Sequence, residues 1–507
     1  MQANLNAITS TRSPAGFEAG TEAAPLDGWR RWRGACAGAW QADWRERRRD
    51  WRVWLVLGIG LALALCAALL ATLELRATLD ARSQARQGEQ RRWLNQGKKN
   101  PHSAAHYGVY VFKPLSALAA LDPGVEHYVG SSVWLEAHKQ NEFVYRPAND
   151  EPGLARQFAL NPAFVMQVLA PMALIFLGFG MFAAERENGT LGSLRINAAP
   201  LGALALARAA VLFCLALVMV LPACAAAAAI SALHWSAAAH NPFSDAGLRA
   251  LLFGAAYLVY LCTWCALIAG VSALAPTTRA SLAALLALWA CCTLVLPRVA
   301  LELAQEAAPL PSMQSFREQM EGALGMPDDP LEAERHKQAI LREYGVADVR
   351  QLPLNWAGIS LQRGEEHGNR IFDRHYGSLF GAMERQSEAA AWAGWLSPTV
   401  ALAALSGAAA GSDTAHHIQF IRGAEAQRRA IQQVLNQAIT RHPEHGGKKV
   451  EGDQALWNTV PPLHFMFAPL GPSTLLLRSA LALLALCGAS ILFSALGLRR
   501  LRFGSVR

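Results

Sequence analysis

The chain has 507 residues, 53% hydrophobic and 17% charged, with a formal net charge of +8. A soluble protein of this size carries about 25% charged residues, whereas here the apolar residues gather in blocks of roughly 20, long enough to cross a bilayer core. That excludes a water-soluble globular class. The excess of base does not mark a nucleic-acid reader either. Its arginines crowd between Arg30 and Arg52 and return at Arg499, Arg500, Arg502 and Arg507, beside apolar blocks and without a recognition motif.

Residues 1–28 are rich in Ala, Thr, Ser, Gly and Pro and read as a disordered cytoplasmic tail. The apolar run begins too late for a secretory leader. Residues 29–52 read as an amphipathic interfacial helix. Trp40, Trp44, Trp51 and Trp54 fall near one face at helical spacing, with arginines between them, as for a helix lying on an inner leaflet. The first transmembrane helix is expected over 53–74. Residues 75–160 form a first extracytoplasmic loop domain of α/β type. Its β-rich runs are Tyr107–Phe112 and Val125–Val129, divided by Asp122-Pro123-Gly124.

The second transmembrane helix spans 162–184, with Pro171 as a kink. A cytoplasmic loop, 185–200, precedes the third transmembrane helix at 201–232. The fourth covers 250–274 and the fifth 281–303, joined by a second cytoplasmic loop containing Pro276, Thr277, Thr278 and Arg279. Arg298 and Glu302 lie one turn apart near the outer end of the fifth. Residues 305–472 form a large helical extracytoplasmic domain, with Asp413 as the N-cap of a helix running to about Ile439. The sixth transmembrane helix is 473–497, followed by a basic cytoplasmic tail at 498–507. The apolar stretch 392–411 is broken by Ser397-Pro398, and as a seventh span it would put the basic C-terminus outside. It reads as a buried or membrane-lying external helix.

The fold class is therefore an all-α polytopic membrane protein with six transmembrane helices and both termini cytoplasmic. Two large loops build a mainly helical extracytoplasmic domain with some β structure. On this map all nine cysteines fall in spans or on the cytoplasmic side, and all fourteen histidines fall outside. The two external regions accordingly hold together without disulfides.

No phosphate-binding loop is present. Gly446-Gly447-Lys448-Lys449 lacks the first glycine and the closing hydroxyl that a phosphate cradle needs. The chain is thus expected not to be an enzyme, with no cofactor and no catalytic residue of its own. Cys262 and Cys265 have C-x-x-C spacing but sit mid-span, where two small core residues are the better reading. His416 and His417 are adjacent, and His442 and His445 flank Glu444, yet no ligand spacing recurs. They read as ordinary surface histidines, and no metal site is assigned.

The stretch Glu185 to Leu191, E-R-E-N-G-T-L, carries the strongest site signal. Charges at the end of a span are costly unless they meet water or a partner. Glu185 and Glu187 are placed to pair with a basic partner surface, with Arg186 between them. Asn188-Gly189 permits a sharp turn, and the Thr190 hydroxyl caps the next short helix, which Leu191 opens.

The pattern F-G-M-F-A-A-E-R-E-N-G-T-L-G-S-L-R, between the second and third spans, resembles the permease subunits of type-2 ABC exporters. The helix before the first span and the six-span topology are further shared features. Both large loops are inflated relative to short permeases, which resembles a large-periplasmic-loop branch known only as a domain of unknown function. Asp122-Pro123-Gly124, Tyr128-Val129-Gly130, Leu396-Ser397-Pro398 and Gly411-Ser412-Asp413 with His416 fit that branch. The resemblance implies a bacterial inner-membrane permease dimer, homo- or heteromeric, above separate ABC ATPase subunits that bind ATP and Mg. It implies ATPase coupling through Glu185, Arg186, Glu187, Asn188, Gly189, Thr190 and Leu191, with export or force transmission to a periplasmic protein as output. Two other readings stay open: a membrane-anchored extracytoplasmic binding or sensor protein, and a histidine-rich metal-handling membrane protein.

Overall fold

The computed structural model describes residues 25–142, 144, 160–196, 200–235, 242–325, 329–442, 450–462 and 465–503. Among the described residues, six helices are long and apolar enough to cross a membrane: Trp51–Leu94, Pro162–Glu187, Leu201–Pro222, Ala246–Leu274, Thr278–Ala307 and Thr474–Leu501. They are spans 1 to 6 below, and the architecture is that of an all-α, multi-pass membrane protein. Large apolar side chains such as Leu65, Leu69, Leu294, Leu303, Leu481 and Leu492 are exposed on the bundle's outward faces. In water such surface would be a liability; against lipid it is the matching solvent. The bundle has a basic end, where the N-terminal helix Pro25–Arg49 lies, and a large-loop end.

Several boundaries differ from the sequence reading. Residues 25–28 already belong to the first helix, while 1–24 lie outside the described residues. That helix stops at Arg49, and Asp50 caps a new one by accepting from the Arg52 amide at 2.9 Å. Trp51 and Trp54 therefore belong to span 1 and point outward, 67% and 54% exposed. Trp40 and Trp44 stack on each other and pack against Val53, Leu57, Val211 and Leu215. Span 1 does not stop at residue 74 but continues as one helix to Leu94. At the other terminus the last helix, Thr474–Phe503, takes in much of the expected 498–507 tail; 504–507 lie outside the described residues.

Spans 2 and 5 are both interrupted by prolines. Before Pro171 the helix widens over Val165–Leu169, so that the Ala170 amide bonds back to Val165. Proline has no N–H for the carbonyl four residues earlier. That carbonyl, of Gln167, instead accepts from the Tyr260 hydroxyl, and the next, of Val168, from Trp289 Nε1 at 3.0 Å. Span 5 repeats the device over Cys291–Val295 before Pro297, and the freed Cys292 carbonyl accepts from Ser397 Oγ at 2.6 Å. Each bulge is thus bonded to a neighbouring element rather than left open in the apolar core.

The stretch 392–411, expected as a buried or membrane-lying external helix, is largely buried, and it turns into the bundle. Its helical part, Pro398–Ala410, has 13 residues. At about 1.5 Å per residue it is too short to cross a bilayer core. Ser397 meets the middle of span 5, Thr399 lies 3.2 Å from the Tyr260 hydroxyl, and Ser406 lies 3.3 Å from that of Tyr257. Ala401, Leu402, Leu405 and Ala409 join the same core as spans 2 to 6. The helix climbs from mid-bundle toward the large-loop end, where Gly411 ends it in the left-handed region. The Asp122 carboxylate accepts there from Ser406 and, at 3.3 Å, from Gln167. Burial raises this carboxyl above the usual carboxylate range.

At the large-loop end β1 (Val109–Phe112) pairs antiparallel with β2 (Ser132–Leu135). The second strand is not Val125–Val129, as the sequence suggested. That run is a turn, because Gly124 adopts φ +48° and the Val125 amide donates to the Ser412 carbonyl at 2.9 Å. The long helices Trp356–Ala391 and Thr414–Thr440 pack side by side, with a polar layer between them. Asn436 donates to Glu365 at 2.6 Å, and Arg428 reaches Asn369 and Glu425. Asp413 caps the second helix, accepting from the His416 amide at 2.9 Å.

Burial lifts Glu365 to about 7, against the pull of Asn436 and Arg428. A carboxyl raised above its unfolded value of about 4.3 stabilises the fold below that pH and loses the contribution as pH rises through about 7. The difference corresponds to roughly 3 kcal/mol. Glu365→Gln, melted in chelator, is therefore expected to raise the unfolding temperature more at about pH 8 than at about pH 5. Equal shifts at both pH values would contradict this.

Candidate functional site

The F-G-M-F segment breaks span 2 one turn before the charged motif. Gly178 permits the close approach: a Cβ there would sit 2.7 Å from Ile268 and 2.9 Å from Leu212. The helix stops at Gly178 and restarts at Ala183. Ser272 of span 4 serves the break, accepting from the Phe182 and Ala183 amides at 2.9 and 3.2 Å. Its hydroxyl donates to the Phe179 carbonyl at 2.8 Å, and Ser281 of span 5 donates to the same oxygen at 2.7 Å. Two buried serines therefore close a gap that Ala could not.

The motif itself forms two short helices, Ala183–Glu187 and Thr190–Ile196, joined by Asn188 and Gly189. Gly189 takes φ +74°, the turn geometry that Asn-Gly favours. Leu191 is buried in the main core and anchors the second short helix. The first three motif side chains all bond within this chain. Glu185 pairs with Arg208 of span 3 at 2.7 Å. Arg186 donates to the carbonyls of Ala273, at 2.6 Å, and Ala275, capping the end of span 4. Glu187 accepts from the amide and hydroxyl of Thr278 at 3.0 and 2.7 Å, capping the start of span 5.

The sequence reading gave both carboxylates to a partner protein, and the structure gives them to this chain. Arg186 and Glu187 meet the nearest helix termini, those of spans 4 and 5, and Glu185 meets the Arg208 guanidinium. Thr190 also differs from its expected role as cap. Its hydroxyl donates back to Glu185, so the turn closes on itself.

The network continues into the N-terminal helix. Arg208 reaches Asp43 at 3.8 Å, donates to the Met181 carbonyl, and lies over the Phe182 ring at 5.4 Å. Asp43 pairs with Arg47 at 2.6 Å, and Arg47 donates to the Leu177 carbonyl at 2.8 Å. Spans 2, 3, 4 and 5 and the N-terminal helix thus meet in one charged joint. Exposed at its tip are Glu187, Asn188, Gly189 and Thr190, beside Pro276, Thr277 and Arg279 of the neighbouring turn. Thr277 caps span 5, accepting from the Ala280 amide at 3.2 Å.

A second clamp sits at the large-loop end and was not singled out in the sequence. Arg249 of span 4 is 1% exposed and pairs with Asp245 at 2.8 Å. It donates to the carbonyls of Ala408 and Ala468 at 2.9 and 3.1 Å and lies over the Phe243 ring at 4.1 Å. His416 Nε2 lies 3.1 Å from its guanidinium, and His416 Nδ1 lies 2.5 Å from Asp413. His416 and His417 are buried, not surface, residues. Of the other histidines named from sequence, His442 is described, while Glu444, His445 and the Gly446–Lys449 string lie outside the described residues. Arg298 and Glu302 pair at 3.4 Å and are largely exposed, an arrangement that contributes little.

Residues 313–464 match the family model described as Domain of unknown function (DUF3526). The match begins where span 5 has ended and stops short of span 6, so it covers most of the second large loop, including both long helices and the short buried one. No curated protein and no solved structure matches the chain.

Proposed function

We propose that this chain is the membrane-spanning subunit of an ATP-driven transporter of the type-2 ABC class, acting as an exporter or as a transmitter of force. The basic end faces the cytoplasm, in keeping with the arginines of the N-terminal helix and of span 6. The large loops then stand in the periplasm of a bacterial inner membrane. Separate ATPase subunits, carrying ATP and Mg, dock on the exposed tip of the charged joint, and a second permease completes the assembly.

The observation that carries this reading is the joint's construction. A docking element has to be short, open at its tip and rigidly tied to several spans, so that displacement of the tip moves them together. Here Arg186 and Glu187 fasten the turn to spans 4 and 5, and Glu185 with Arg208 fastens it to span 3 and the N-terminal helix. The E-R-E charges serve rigidity, and recognition falls to the tip. Arg186→Ala is expected to leave ATPase subunits bound, because the tip stays exposed, but to lower the ATPase turnover stimulated by the permease at least tenfold. Unchanged turnover in the purified complex, with the variant folded, would count against the coupling role.

A further inference from the structure

A cluster of imidazoles stands at the large-loop end, far from the charged joint in the chain and independent of its reading. His102 and His106 are spaced i, i+4 on the helix Pro101–Tyr107, so both rings emerge from one face. His138, just past β2, comes over that face. One ring nitrogen from each lies within 4.8 Å of the other two. The three rings are mutually 4.7 to 5.1 Å apart between centroids. His102 Nε2 and His106 Nε2 are 3.3 Å apart. Ligand atoms around a tetrahedral ion with metal–nitrogen bonds of about 2.0–2.1 Å are separated by about 3.3 Å, so this pair already has the spacing of an occupied site.

The surroundings fit the same chemistry. His106 and His138 are exposed, which leaves a fourth coordination position open to solvent. Behind His138, Glu365 Oε1 lies 3.6 Å from Nδ1, and that buried oxygen has no hydrogen-bond partner among the described residues. A carboxylate behind a ligating histidine fixes its tautomer and aims the other nitrogen at the ion.

We propose that His102, His106 and His138 bind one late first-row divalent cation, Zn2+ or Cu2+, with Glu365 orienting His138. Imidazole donors select such ions, whereas Mg2+ and Ca2+ require oxygen ligands that the triad does not offer. The three ligands come from the first large loop, and the orienting carboxylate comes from the helix Trp356–Ala391 of the second. Binding would therefore tie the two loops together. His138 and Glu365 also line a cleft of about 660 Å3, with Arg428, Asn369 and Gln432.

The test uses the full chain in detergent, without a polyhistidine tag, stripped with chelator and dialysed against Zn2+, Cu2+ or Mg2+. One equivalent of Zn2+ or Cu2+ and no Mg2+ is expected, with X-ray absorption showing imidazole nitrogens at about 2.0–2.1 Å. The double variant His106→Ala with His138→Ala should bind at least a hundredfold more weakly. Both side chains are exposed, so its melting without metal should be unchanged. Glu365→Gln should weaken binding by about 10–100-fold. The absence of bound Zn2+ and Cu2+ in the unmutated chain would overturn the proposal. So would an equivalent retained by the double variant, which would place the ion at other histidines.

Discussion

Alanine at Arg208 is expected to loosen the charged joint and to cost about 2–4 kcal/mol of stability. The guanidinium is mostly buried between Glu185 and Asp43 and also satisfies the Met181 carbonyl. Its removal leaves Glu185 without its cation and the Met181 carbonyl unserved, while Asp43 keeps Arg47 at 2.6 Å. Breaking a fully buried pair costs about 3–5 kcal/mol, and the partial exposure of Glu185 lowers that figure through solvent screening. Arg208→Lys keeps the charge but cannot reach three acceptors with one ammonium, so it should recover only part of the loss. Thermal unfolding of the purified chain measures both. In a double-mutant cycle, Glu185→Gln and Arg208→Ala should couple by about 1–3 kcal/mol, and additive effects would mean that the ion pair contributes nothing.

The largest single loss is expected for Arg249→Ala, about 3–5 kcal/mol. Arg249 joins the start of span 4, the end of the short buried helix at Ala408, and the segment before span 6 at Ala468. Alanine removes all three bonds and the stacking on Phe243, and leaves Asp245 with the Leu470 amide, at 2.6 Å, as its partner from a distant segment among the described residues. The short helix Pro398–Ala410 should then be loosened at its upper end, held there by Ser406 and Ser412 on Asp122, while Ser397 still holds its lower end. A fall in unfolding temperature together with new proteolytic cleavage near residues 408–412 is the expected result. A stable variant with no new cleavage would show that the apolar contacts of Leu402 and Leu405 suffice.

These two clamps mark the limit of what the sequence displayed. Long apolar blocks announced the six spans, because a bilayer imposes its thickness on each of them. Local signals were also readable: Asp413 as a cap, Asn188-Gly189 as a turn, and Pro171 as a disturbance. What could not be read were pairings between distant residues. Glu185 looked available to a partner because nothing in the sequence brings Arg208 to it. Arg249 was not singled out, since its carbonyl acceptors lie more than 150 residues away. Val125–Val129 had strand composition, but Gly124 and the Ser412 carbonyl hold it as a turn.

The buried polar residues of the large loops follow the same rule. His416 read as surface because it sits at the start of an amphipathic helix, and only the fold brings Arg249 and Phe467 onto it. In the imidazole cluster, the H-x-x-x-H spacing of His102 and His106 was visible and was not taken up. The third ring stands 32 residues from His106, beyond any local pattern, and the carboxylate behind it comes from the second loop. Hydrophobic periodicity therefore delivered the scaffold, while the charged and polar joints depended on tertiary placement.

The central claim is that an ATPase docks on the tip of the joint. It is tested most directly by a photo-crosslinking side chain placed at Asn188 in the native host, with a second at Trp392 on the opposite part of the bundle. The account predicts a crosslinked product containing an ABC ATPase subunit from position 188 and none from position 392. A folded, membrane-inserted chain that yields no ATPase crosslink at 188, or yields one at 392, would contradict it.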